Sequence, residues 1–152
     1  KFRAAGRPGW VALAVLVGLS GGVGLYWLWP VFGIDPTLGA RLAPLGLKPV
    51  SWPLFILYFS LLNPWLEEIF WRGWLGGQSS KPEPNDLIFA GFHLLVIGAY
   101  VRWPSMLFVL LTLTGVGWFW RQVARRAGSL LPSSLSHLVA DAAILIAIYL
   151  HA

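Results

Sequence analysis

An all-α, integral-membrane helical bundle of about five spanning helices is the fold this chain predicts, and three observations predict it. Of 152 residues, 57% are hydrophobic and only 11% are charged, against about 25% charged in a soluble domain; mean hydropathy is +0.70. The apolar residues gather into five long runs separated by Pro- and Gly-containing stretches. All but one of the ten tryptophans lie within four residues of the end of a run, where an interfacial aromatic belt sits.

The first run, Trp10 to Trp29, has the length of a spanning helix, for which about 20 residues are needed. Lys1, Arg3 and Arg7 before it allow a signal peptide, but the run is long for one and no A-x-A site closes it, so a first spanning helix is preferred. The chain begins with Lys1 rather than Met, and further sequence upstream is expected. The second run goes from Val50 to about Leu66 and continues helically to Leu75. The third, Leu87–Val101, and the fourth, Met106–Trp120, are short for spans and would sit untilted or in a locally thin bilayer. The fifth runs from Pro132 to Leu150. Pro30–Lys48 and Gly76–Asp86 are read as loops. There is no internal repeat, so residues 1–152 are expected to form one transmembrane domain.

Charge and composition exclude several functions. The net charge of +5 comes from basic residues at the ends of apolar runs rather than from one patch, so nucleic acid is not an expected partner and membrane lipid is. Absence of cysteine removes thiol catalysis, disulfides and thiolate metal sites. With five crossings, Lys1, Arg3, Arg7, Arg72, Lys81, Arg121, Arg125 and Arg126 fall on one side, and Arg41, Lys48 and Arg102 on the other. This places the N-terminus in the cytoplasm and the C-terminus opposite.

Carboxylates beside hydrocarbon are costly, and ionisable groups there usually mark a function. Glu67, Glu68 and Asp141, three of only six acidic residues, lie in or beside apolar runs. Glu67 and Glu68 close the second run on the cytoplasmic side. His93 in the third run and His137 and Asp141 in the fifth start from that side, so all these groups fall at one depth. His137 and Asp141, Phe89 and His93, and Glu68 and Arg72 are each four apart and share a helix face. Glu67 is turned about 100° from Glu68. Glu68 is therefore expected to pair with Arg72, leaving Glu67 to be buried in the bundle interior as a general base.

Glu67-Glu68-x-x-x-Arg72, Phe89-x-x-x-His93 and His137-x-x-x-Asp141 resemble, in order, the three motifs of the CAAX protease and bacteriocin-processing (CPBP, or ABI) family of intramembrane endopeptidases. The resemblance covers about Asn63 to Ala142. It implies peptide-bond hydrolysis in a bacterial inner or internal membrane, on a peptide or membrane-protein substrate. Glu67 and His93 would activate water, and His137 and Asp141 would stabilise the oxyanion. Glu68, Arg72 and Phe89 would support the site. No cofactor is required on this reading, because H-E-x-x-H is absent. Glu67, His93 and His137 as ligands of Zn²⁺ remain the alternative mechanism. The alternative function is an inactive homologue serving as scaffold, assembly factor or accessory subunit of a larger membrane complex.

Each motif alone has a plainer reading: an interfacial ion pair for Glu68–Arg72, or a satisfied core or haem-ligating histidine for His93 or His137. Two further signals are read structurally. Gly18-Leu19-Ser20-Gly21 fits a G-x-S-G nucleophile pattern, but its small residues are better read as a helix-packing face. Arg121, Arg125 and Arg126 are read as a stop-transfer flank.

Overall fold

The computed structural model describes residues 8–152; Lys1, Arg3 and Arg7, used above for topology, lie outside the described residues. Five long helices carry the chain: α1 (Pro8–Trp27), α4 (Trp52–Glu68), α5 (Pro84–Ile97), α6 (Trp103–Ala127) and α7 (Leu131–His151). Two short helices, α2 (Trp29–Phe32) and α3 (Leu38–Leu42), lie in the stretch expected to be only a loop. Among the described residues the fold is all-helical, as the composition predicts. Three helices, over Gly9–Trp27, Trp103–Ala127 and Leu131–His151, are long and apolar enough to cross a membrane. The fourth apolar run thus becomes a 25-residue helix rather than a short one. Its last turns are polar, so hydropathy alone cannot see them. Gly128, at φ +62°, then ends it in the left-handed conformation that favours glycine. α5 stays short at 14 residues, about 21 Å at 1.5 Å per residue.

α7 is the centre of the bundle. It packs against α1, α4 and α6, while α5 packs on α6. Small residues make this possible. Ala14, Gly18 and Gly22 recur every fourth residue on α1; Ala14 and Gly18 meet Ser136 of α7, and Gly22 meets Ala143. A Cβ on Gly18 would sit 2.2 Å from the Ser136 carbonyl oxygen, and one on Gly22 would sit 2.3 Å from Ala143. The two helices run parallel, since Gly18 meets Ser136 and Tyr26, further along, meets His151. Ser20 is exposed and donates to the Val17 carbonyl of its own helix, while Gly18 packs against Ser136, so the G-x-S-G pattern is a packing face. Ser136 Oγ donates to the Ala14 carbonyl and accepts from Trp120 Nε1–H at 2.7 Å, joining α1, α6 and α7.

The outside is apolar and the inside polar. Leu16, Leu54, Leu66, Leu95 and Leu111 are exposed, whereas Glu68, Ser133, Ser134 and His137 are buried. That inversion suits hydrocarbon as solvent, where outward polar groups would be left without partners.

Both ends of the bundle are tied. At one end the α2–α3 region is held to the α5–α6 turn. Asp35 N–H donates to the Tyr100 carbonyl at 3.0 Å, and Arg41 donates to the Ala99 carbonyl at 3.0 Å. Hydrogen bonds from Thr37 and Arg41 hold the Asp35 carboxyl down to about 2. At the other end Arg121 is buried, correcting its reading as a flanking charge. It pairs with Asp86 at 2.7 Å and donates to the carbonyls of Ser79 and Lys81. The 76–83 connection is thereby fixed over the start of α5. That start comes three residues earlier than the apolar run, because Glu83 and Asp86 form a capping box around Pro84. The tryptophan belt also needs correcting: Trp52 and Trp120 are buried.

Gly22→Leu is expected to lower bundle stability by about 1–3 kcal/mol or more through overpacking against α7. Gly24→Leu, where a Cβ meets nothing within 4 Å, should leave it unchanged. Thermal unfolding of the two variants in detergent checks this.

Candidate functional site

The second apolar run leads into the site through two irregularities. Pro64 lies inside α4 and cannot donate to the carbonyl one turn back. Directly after Glu68 the chain widens into a π-helix, Ile69–Trp74, a rare conformation frequent at functional sites. Within it Arg72 turns inward. Its Nη1 donates to Glu68 Oε1 at 2.9 Å, its Nη2 to the Gly117 carbonyl at 3.3 Å, and its guanidinium lies 4.2 Å from the centre of the Phe89 ring. Gly117 must be small there: a Cβ would meet Phe89 at 3.0 Å and Arg72 at 3.4 Å.

Glu68 is the buried member of the acidic pair, at 0% side-chain exposure, and it has a second partner: His137 Nδ1, 3.2 Å from the same Oε1. This corrects the expectation that Glu67 would be the carboxylate sealed in the interior. Glu67 instead stands at the mouth, 15% exposed, with His93 beside it at 26%. The roughly 100° between the adjacent residues holds, but the sense is reversed. An arginine and a histidine together can compensate a fully buried charge, whereas Glu67 is 15% exposed, with its Oε2 buried.

The two histidines are oriented alike. His93 Nδ1 lies 2.8 Å from the Phe89 carbonyl; a carbonyl only accepts, so Nδ1 carries the hydrogen and Nε2 is free. His137 Nδ1 is likewise fixed, by Glu68. Each therefore presents Nε2 to the common space: His93 Nε2 is 3.8 Å from Glu67 Oε2, and His137 Nε2 is 3.5 Å from Asp141 Oδ1. Phe89, fully buried, packs edge-on against His93 and His137 at 4.5 and 6.3 Å between centroids. All seven residues singled out from the sequence thus meet in one cluster built from α4, its π-turn, α5 and α7.

Two neighbours escaped the sequence reading. Trp120 stacks on His137 at 4.4 Å with 25° between planes, and nothing in its position at the end of an apolar run distinguishes it from an interfacial tryptophan. Asn63 donates to Glu67 Oε1 at 3.1 Å and to Asp141 Oδ2 at 3.3 Å. Its signal was legible as a polar residue four before Glu67, on the same helix face.

Glu67, His93 and His137 each offer a ligand atom, and these atoms lie within 4.8 Å of one another. Two imidazoles and a carboxylate form a donor set known for catalytic zinc. Zinc bonds of about 2.1 Å limit any two ligand atoms to roughly 4.2 Å apart, and the 3.8 Å between Glu67 Oε2 and His93 Nε2 lies inside that limit. A water hydrogen-bonded at about 2.8 Å on each side spans up to roughly 5.6 Å. The spacing therefore admits either. Glu67 Oε2 is buried and has no hydrogen-bond partner among the described residues, as suits an oxygen whose partner is a water or a reacting group.

Arg72→Met should cost about 3–5 kcal/mol, because it strands the Glu68 carboxylate without its main counter-charge. Arg72→Met with Glu68→Gln should recover part of that loss. Denaturant unfolding in detergent, compared across the two variants, is the check.

A comparison with protein families finds one whose model matches residues 49–143, described as type II CAAX prenyl endopeptidase Rce1-like. The matched stretch contains every residue of the cluster. No curated protein and no solved structure matches the chain.

Proposed function

The chain belongs to the Rce1-like family of type II CAAX prenyl endopeptidases, and from that premise we propose that it hydrolyses a peptide bond within the membrane, using a water held by Glu67 and His93. The observation that carries the reading is the convergence of the Glu67 carboxylate with the imidazoles of His93 and His137, whose ligand atoms lie within 4.8 Å of one another.

The chemistry follows from the partners. Water donates one hydrogen to Glu67 Oε2 and a second to His93 Nε2, which can accept because Nδ1 holds the hydrogen. Glu67 takes the proton as the water oxygen bonds to the scissile carbonyl carbon. The carbonyl π-bond breaks and its electron pair goes to the oxygen. His137, with Nδ1–H committed to Glu68, turns Nε2 to that oxygen and in its doubly protonated form donates to it. Asp141 does not face the oxyanion as a charge, which would repel it. Before substrate binds it orients His137 through its 3.5 Å contact with Nε2, and the one Nε2–H turns from Asp141 to the carbonyl oxygen as its charge develops. Collapse of the intermediate breaks the C–N bond, and Glu67 returns its proton to the leaving nitrogen.

Glu68 and Arg72 take no part in proton transfer on this account. They hold His137 in place from the rear, with Trp120 against its ring face. The charge asymmetry of the loops supports a site facing the cytoplasm. The family's description makes a membrane-anchored, prenylated carboxyl-terminal peptide the first substrate class to test.

Purified protein is expected to cleave a member of a peptide library that includes prenylated and unprenylated forms. Glu67→Ala should lower the rate at least 100-fold, and a chelator should leave it unchanged. Chelator-sensitive cleavage would assign the trio to zinc. Equal signal from wild type and Glu67→Ala would leave the reading as an accessory subunit.

A further inference from the structure

Asn63 lies outside the three motifs, yet it joins the Glu67 carboxylate to that of Asp141, on another helix. Its carboxamide nitrogen has two hydrogens, and two carboxylates accept them: Glu67 Oε1 at 3.1 Å and Asp141 Oδ2 at 3.3 Å. Each carboxylate thereby gives one oxygen to Asn63 and turns the other to a histidine, Glu67 Oε2 to His93 and Asp141 Oδ1 to His137. We infer that Asn63 is a positioning residue for hydrolysis, which sets the rotation of Glu67 and Asp141 together and keeps the two acids apart. The inference rests on the hydrolytic reading above.

The side-chain chemistry explains why an amide suits this place. Glu67 and Asp141 come from different helices to the same nitrogen, and two carboxylates so close repel or share a proton unless a donor stands between them. An amide donates to both without acting as an acid or a base at ordinary pH, so it orients them and takes no proton from the reaction. Without it, the Glu67 carboxylate is free to rotate about its last torsion and loses the alignment of Oε2 with His93. Misplacement of a reacting group by about 1 Å can cost 100-fold in rate. Substrate contacts are untouched, so the loss belongs in kcat rather than KM. An aspartate of the same shape would remove both donors and add a third carboxylate.

The test compares wild type, Asn63→Ala, Asn63→Asp and Glu67→Ala for kcat, KM and thermal midpoint on whichever library peptide wild type cleaves. Asn63→Ala is expected to lower kcat about 10- to 100-fold with KM within about threefold, and its midpoint should stay near wild type. Asn63→Asp should lose more kcat than Asn63→Ala. A kcat within twofold of wild type in Asn63→Ala, beside an inactive Glu67→Ala, overturns the role of Asn63 and leaves the hydrolytic reading standing. A kcat loss matched by a collapse of the midpoint in both Asn63 variants makes Asn63 a merely structural tie and also overturns the role. If wild type and Glu67→Ala are equally inert, the hydrolytic reading fails and this inference fails with it.

Discussion

A carboxylate with no solvent exposure dictates the architecture around it. Glu68 can remain ionised inside the bundle only if the cost of removing it from water, several kcal/mol, is offset by partners placed at hydrogen-bond distance. Arg72 and His137 both reach its Oε1, at 2.9 and 3.2 Å. Arg72 reaches it from the widened turn Ile69–Trp74 and lies over Phe89, in the space that Gly117 leaves open. His137 reaches it because α7 runs through the middle of the bundle. Removing Arg72 leaves the Glu68 carboxylate without its main counter-charge, so the pair and its surroundings stand together.

The central place of α7 has its own cause in side-chain size. Ala14, Gly18 and Gly22 on one helix and Ser136 and Ala143 on the other let two backbones approach closely. Small residues at helix contacts serve where hydrocarbon surrounds the bundle and the hydrophobic effect gives no drive to associate. Ser136 then ties α1, α6 and α7, one residue before His137, and Trp120 packs flat on the imidazole. Close packing at the rear thus turns His137 Nε2 towards the mouth, where Glu67 and His93 stand partly exposed.

Much of this was legible in the sequence, and the failures share a cause. The five apolar runs became the five long helices, because continuous hydrophobicity identifies a helix in lipid whatever packs beside it. The three spaced motifs met in one site, because residues four apart share a face. Hydropathy misled where a polar segment was buried. The last turns of α6 were read as an exposed flank, although Arg121 is sealed by Asp86 and the carbonyls of Ser79 and Lys81. Trp120 was read as interfacial for the same reason. Burial of Glu68 rather than Glu67 depends on the second partner, His137, and a contact across 69 positions has no local signature. Asn63 had one, four residues before Glu67, but its other partner on α7 gives it meaning.

Adjacent glutamates with opposite duties are the central claim: Glu68 braces the bundle and Glu67 acts on water. Thermal midpoints and cleavage rates of Glu67→Gln and Glu68→Gln, measured side by side, test it most directly. Glu67→Gln should keep its midpoint and lose cleavage. Glu68→Gln should lower the midpoint strongly, having left Arg72 buried without its counter-charge. A stable but inactive Glu68→Gln beside an active Glu67→Gln would contradict the account.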